Sequence, residues 1–183
     1  MDSGLSASSQ SRFPPLGLGI IAALTPPAYE VLIIDENFEQ IEYIEADLVG
    51  ITVFTSAAVR AYELAGIYQQ QGIPVVLGGI HVSMMPNEAL QYADTVVIGE
   101  SENLWPQLIV DFEAGRMKDR YSGSFAELSE TAVPRRELFH PGYNFASIQT
   151  SRGCPMNCSF CSVTPFNGKK YRQRPVNEVL DEL

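Results

Sequence analysis

The strongest constraint on what this chain can fold into is a series of short apolar runs that alternate with segments of helical character. The runs are 29–35 (YEVLIID), 46–55 (ADLVGITVFT), 74–80 (PVVLGGI) and 95–98 (TVVI), all rich in β-branched residues. A strand that is hydrophobic without alternation is covered on both faces, as in a parallel sheet. Helical candidates lie between them. Residues 15–24 open on two prolines, which suit a helix start. Residues 56–71 have Ser56 as a candidate N-cap and Gly72 just past the end, and 87–93 and 103–114 follow the next two strands. Strand–helix alternation predicts an α/β, doubly wound parallel sheet of the Rossmann-like kind.

Composition divides the rest of the chain. Residues 1–12 are rich in Ser and have no basic region leading into an apolar core, so they read as a disordered leader and not as a secretion signal. No stretch before Phe13 is apolar enough to be the strand with which such a domain normally begins. The α/β domain is expected over 13–118. Residues 119–144 read as a linker, with Gly123, Pro134 and Pro141 and no sustained periodicity. A new unit starts at 145, with a strand at 145–150 (FASIQT), a loop at 151–163 (SRGCPMNCSFCSV) and a helix near Pro175 that reaches Leu183 without a stop signal. The net charge of −10 argues against a general nucleic-acid binder, since phosphate contacts need clustered Lys and Arg. No apolar run approaches the length of a membrane-spanning helix; the longest, LGLGIIAAL at 16–24, reads as a buried helix.

Open parallel sheets bind ligands beyond the carboxyl ends of their strands. Three strand ends are equipped for this: Thr55 and Ser56 after the second run, Gly78, Gly79 and His81 after the third, and Gly99, Glu100, Ser101 and Glu102 after the fourth. Glycines there admit a bulky ligand to the backbone, and hydroxyls can donate hydrogen bonds. Singly, each is also a turn glycine or a helix cap, and the carboxylates of 100–102 also suit a helix dipole. Together, on one sheet edge, they favour a binding site.

The three cysteines, Cys154, Cys158 and Cys161, fall within eight residues in a C-x3-C-x2-C pattern. An odd, tightly clustered set is a poor disulfide framework and points to a reducing, cytoplasmic setting. Soft thiolates bind iron and zinc. Three cysteines can hold three corners of a cubane cluster and leave the fourth iron open, unlike the four-cysteine sites of ferredoxins. Structural zinc takes four Cys or His ligands. The chain has only two histidines, and His140 lies upstream across a proline and a glycine. The pattern therefore favours iron and sulfide over zinc.

The stretch SRGCPMNCSFCSV resembles the cluster loop of radical S-adenosylmethionine (SAM) enzymes. The resemblance implies that 145–183 begin an incomplete partial βα barrel, the chain ending shortly after the motif. It also implies that Cys154, Cys158 and Cys161 ligate a [4Fe–4S] cluster, that SAM binds the open iron, and that Phe160 packs near the SAM adenine; Phe160 also reads as an ordinary core aromatic. The front domain resembles the cobalamin-binding domain of B12-dependent members of that family, through PPLGLGIIAAL, VGITVFTSA, VVLGGIH and VVIGESE. This implies cobalamin lying across Thr55, Ser56, Gly78, Gly79, His81, Gly99 and Glu100. The Asp-x-His-x-x-Gly signature of domains that supply an axial histidine is absent, since Asp35-Glu36-Asn37 has no histidine. His81 then reads as a hydrogen-bonding group, not as a cobalt ligand, and Arg172 and Arg174 as surface charges or contacts at the start of a helix.

The function implied is reductive cleavage of SAM to methionine and a 5′-deoxyadenosyl radical, with electrons from a flavodoxin- or ferredoxin-like donor. The small-molecule substrate would be methylated, or rearranged by ring formation, at an unactivated carbon. Two other readings stand beside it: a non-catalytic fragment that binds cobalamin and cluster only, and a zinc-bound α/β interaction module.

Overall fold

The structure is a computed structural model that describes residues 13–41, 43–129 and 131–183. The expected leader, 1–12, lies outside the described residues. Four parallel strands lie side by side in chain order: β1 (Val49–Thr52), β2 (Val75–Gly78), β3 (Thr95–Ile98) and β4 (Arg120–Ser122). The registers Ile51↔Leu77, Leu77↔Val96 and Val96↔Arg120 carry one continuous row across the sheet. Helix α1 (Leu16–Leu24) precedes the sheet. Helix α2 (Ala58–Gln70) links β1 to β2, the short helices α3 (Ile80–Met84) and α4 (Pro86–Ala89) link β2 to β3, and α5 (Trp105–Glu113) links β3 to β4.

Alternate strand residues face opposite layers. Val75, Leu77 and Val96 pack with Ala61, Ala65 and Tyr68 of α2 and with Val82 and Ala89 of α3 and α4. Val76, Val97 and Tyr121 pack on the other face with Trp105, Leu108 and Ile109 of α5, backed by Ile21 and Leu24 of α1. Both faces are covered, so the sheet is doubly wound as the unbroken apolar runs require. Strand order is sequential while α5 lies on the face opposite α2–α4. The β3–α5–β4 crossover therefore has the opposite hand to the two before it, a departure from the usual right-handed habit in one of them.

The elements differ from expectation in several places. Residues 29–35 form no strand; they run irregularly beneath α1, with Leu32 65% exposed. Their β-propensity has no ladder to join, because β1 pairs on one side only, with β2. In contrast with β2 and β3, whose first three residues are all buried, β1 alternates between half-buried and exposed residues. Helix α2 starts at Ala58 behind a short 3-10 turn at Thr55–Ala57, so Ser56 does not cap it. The segment expected as a linker contributes β4, so the sheet continues past 118. Residues 145–150 are irregular. The second sheet is a minimal antiparallel pair, β5 (Ser151–Arg152) with β6 (Arg172–Gln173), followed by α7 (Val176–Glu182). Between β5 and β6 hang the cysteine loop and the one-and-a-half-turn α6 (Val163–Asn167).

Candidate functional site

The carboxyl ends of β1, β2 and β3 form one edge, and each is shaped by a different backbone device. β2 runs through Gly78 into Gly79, which takes φ +95°. A Cβ at Gly79 would stand 2.9 Å from the Val53 amide nitrogen and 3.0 Å from both the Thr52 hydroxyl and the Val53 carbonyl oxygen. Only glycine lets the β2–α3 turn lie this close to the end of β1. The crossing is closed by Val53 N donating to Gly78 O (2.9 Å) and His81 N donating to Val53 O (3.1 Å). At β3 the Gly99 amide donates to Ser83 Oγ (2.9 Å), and that hydroxyl donates to Gly79 O (2.9 Å), so one side chain ties two strand ends together. A Cβ at Gly99 would meet nothing within 4 Å, and Thr55 and Ser56 are exposed. The edge is open and accessible to a large ligand.

His81 lies under this edge, 7% exposed. Its Nδ1 is 3.2 Å from Thr55 Oγ1 and its Nε2 is 3.0 Å from the Tyr62 hydroxyl, which donates to Glu88 (3.0 Å). A tyrosine hydroxyl has one proton, so donation to Glu88 makes Tyr62 the acceptor from Nε2–H, and Nδ1 is left to the Thr55 hydroxyl. Burial, and secondarily the Glu88 hydrogen bond, push the Tyr62 hydroxyl up to about 12, which keeps that proton in place. Both imidazole nitrogens are engaged within the protein. His81 therefore orients Thr55, in keeping with a hydrogen-bonding role and not with a free metal ligand.

Glu100 belongs to the same edge, but its carboxylate points inward. It is 6% exposed and receives both terminal nitrogens of Arg172, the Asn167 amide (3.2 Å) and the Ala126 backbone N–H (2.8 Å). Arg152 stands 3.4 Å away and also pairs with Glu102. Burial alone would raise the Glu100 carboxyl, but the bonds from Arg172, Asn167 and Ala126 and the charge of Arg152 outweigh it and hold it below the ordinary carboxylate range. Arg172 and Arg174, read as surface charges or contacts at a helix start, are buried, 6% and 8% exposed, so the surface alternative falls, while Arg174, just ahead of α7, does contact that helix. Arg174 and Arg136 share a second buried carboxylate, Glu182. For Arg172 the reason is long-range, since Glu100 lies 72 residues away; Arg174 meets Glu182 eight residues on, at the end of α7.

The cysteine loop hangs from β5 and β6 over this network. Gly153 has φ +86°, and a Cβ there would fall 2.1 Å from the Lys170 carbonyl oxygen. Cys154 N donates to Gly168 O (3.1 Å), and the Thr164 hydroxyl donates to Met156 O (3.0 Å). Helix α6, directly after Cys161, packs on α3 at the ligand edge. Cys154 and Cys161 are half-buried, Cys158 is exposed, and Phe160 is 91% exposed. Among the described residues no three His, Cys, Asp or Glu side chains converge closely enough to hold a metal ion. The base of the loop is fixed, and its tip, 155–160, is exposed.

A doubly wound sheet with an open, glycine-lined carboxyl edge presents a ligand-binding edge of the kind open parallel sheets use. The chain belongs to the B12 binding domain family, which it matches over residues 3–109. Among its relatives, the bacteriochlorophyllide d C-8(2)-methyltransferase of Chlorobaculum tepidum is 39% identical over 176 residues, covering 90% of this chain and 39% of its own. The anaerobic magnesium-protoporphyrin IX monomethyl ester cyclase of Rubrivivax gelatinosus is 30% identical over 181 residues, covering 81% and 29%. The fold is shared with a solved radical S-adenosylmethionine methyltransferase, TsrM, from Kitasatospora setae, at a TM-score of 0.67 and 21% identity over 94% of this chain and 45% of that one. The chain thus spans less than half the length of each of these three proteins. No helix among the described residues is long and apolar enough to cross a membrane.

Proposed function

We propose that this chain is the cobalamin-binding part, with the cluster loop, of a cytoplasmic B12-dependent radical SAM enzyme that methylates or rearranges an unactivated carbon of a small molecule. The observation that carries the reading is the attachment of the cysteine loop to the cobalamin edge through Glu100 and Arg172. Thr55 and Ser56 would offer hydroxyls to the corrin and its tail. Gly78, Gly79 and Gly99 would let the ligand lie on backbone, and His81 would hold Thr55 in place. Glu100 would serve the edge through its turn and the loop through its carboxylate.

The donor set at the loop fits a [4Fe–4S] cluster: three soft thiolates on a short segment pinned at its base and exposed at its tip. Cys154, Cys158 and Cys161 would hold it, and Phe160 would cover SAM at the open iron. When bound, the cluster supplies the electron that cleaves SAM, and cobalamin supplies a transferable methyl group. The residues of this chain bind, orient and exclude water. The C. tepidum relative is named a methyltransferase and the R. gelatinosus relative a cyclase, and either outcome suits the same site.

The test is anaerobic reconstitution of the chain with iron and sulfide, followed by low-temperature EPR of the reduced protein with and without SAM. A [4Fe–4S] signal that shifts with SAM, and disappears in the Cys154→Ala, Cys158→Ala, Cys161→Ala triple variant, supports the reading. Stoichiometric zinc with no iron uptake would replace it with the zinc-module reading.

A further inference from the structure

The Glu100 network is larger than holding a loop requires. Two carboxylates and two guanidinium groups are withdrawn from water, with side-chain exposures of 2% for Glu100, 15% for Glu102, 8% for Arg152 and 5% for Arg172. Buried ion pairs of this kind are often no more stable than apolar residues of equal volume, because desolvation offsets the attraction. What they supply in return is geometry: the forked Arg172 grips both oxygens of one carboxylate and fixes distance and angle together. The carboxylate starts one residue after Gly99, whose amide is tied through Ser83 to the β2 turn. The arginines sit at the two feet of the cysteine loop, Arg152 just before Gly153 and Arg172 on the returning strand. Asn167, the last residue of α6, donates to Glu100, and its carbonyl accepts from Arg172. Any shift of the 99–100 turn when the edge is occupied is thus passed through a rigid fork to both feet of the loop.

We infer that Glu100 is a positioning residue that couples the occupancy of the cobalamin edge to the geometry of the cysteine loop. The inference rests on the B12 and cluster reading above. Coupling free energy is reciprocal, so loading the loop must change the affinity of the edge by the factor by which the edge changes the loop.

The test measures aquocobalamin affinity by absorbance titration of the full chain under anaerobic conditions, before and after iron–sulfide reconstitution. In the parent chain cluster loading shifts the dissociation constant at least about fivefold, the lower end of ordinary coupling. In Glu100→Gln the affinity for each cofactor alone is measured separately, and whatever its value the ratio falls to within about twofold of unity. Glu182→Gln, which loosens the other buried carboxylate node without touching the sheet edge, keeps the parental ratio. If Glu100→Gln does not fold by circular dichroism, Arg172→Lys, which keeps the charge and loses the fork, takes its place, with the same collapse expected. A parental ratio in Glu100→Gln or its substitute, or an equal loss in Glu182→Gln, overturns the inference. A parent chain that loads both cofactors with a ratio of one overturns the coupling and leaves the B12 reading intact. A parent chain that takes up no aquocobalamin defeats that reading itself.

Discussion

Replacing Gly79 with alanine separates two effects that glycines at strand ends usually confound. A non-glycine residue at φ +95°, ψ −174° costs about 1–3 kcal/mol by itself, because that region is essentially reserved for glycine. The Gly79 Cβ would also stand about half an ångström inside the 3.4 Å of ordinary contact with Val53 N and O and with Thr52 Oγ1. Two of those atoms are main chain and cannot rotate away, so the β1 end and the β2 turn must part. That stretches the Val53 N–Gly78 O and His81 N–Val53 O bonds, each worth about 1 kcal/mol net. Together Gly79→Ala should cost about 3 kcal/mol. Gly99→Ala supplies the control: its φ is +85° and a Cβ there meets nothing within 4 Å, so it should cost only the conformational part, about 1–2 kcal/mol. Urea unfolding read by far-UV circular dichroism gives both values, and with m of about 1–3 kcal/mol/M the midpoints of the two variants should differ by roughly 0.3–2 M. Equal midpoints would refute the close-crossing argument, because crowding at Gly79 would then contribute nothing.

Two further outcomes follow from buried polar groups. Glu100 and Glu182 are held below the ordinary carboxyl value of 4.5, against the opposing effect of burial, by hydrogen bonds from arginines. A depressed folded pKa gives stability that is present above pH 4.5 and lost as pH falls through the folded value. Thermal midpoints should therefore be flat from pH 7 to about 5 and drop steeply below 4.5, and Glu182→Gln should lower the neutral plateau by about 3 kcal/mol while shallowing the acid slope. The chain's single tryptophan, Trp105, donates its indole N–H to Thr25 Oγ1 at 2.9 Å, and that hydroxyl donates to Ile21 O. Thr25→Val leaves a buried indole N–H without its acceptor and should cost about 1–2 kcal/mol, with a blue-shifted, heterogeneous tryptophan emission as its signature; unchanged stability and emission would show that the α1–α5 contact is not held by this bond.

Hydrophobic pattern revealed the parts of the fold that are buried on both sides and little else. β2 and β3 read as strands because VVL and TVV are β-branched or apolar throughout, and the structure buries these residues. β4 was invisible because an edge strand of three residues buries one side chain, Tyr121, between the exposed Arg120 and Ser122, and such a stretch is indistinguishable from a linker. The opposite error arose at 29–35. YEVLIID has the composition of a core strand, but a strand exists only when a neighbour accepts its hydrogen bonds, and β1 offers the described residues no second partner there. Propensity specifies what a segment can become; pairing decides whether it does.

The site divided along the same line. Glycines and hydroxyls at strand ends, and thiols at fixed spacing, are local signals, so Thr55, Gly79, Gly99 and the three cysteines could be singled out directly. The pairing of Glu100 with Arg172 across 72 residues leaves no local trace, because a glutamate after a strand and an arginine before a helix are each ordinary surface choices. In the structure Arg172, on β6, and Arg174, just past it, are two residues apart and share one face. That face is inward, and each arginine meets a buried carboxylate, Glu100 or Glu182. The cysteine loop is thus held at its base by charges drawn from the sheet edge and from α7. On the proposed cluster reading, a ligand set carried on such a base would need only its exposed tip, 155–160, to close.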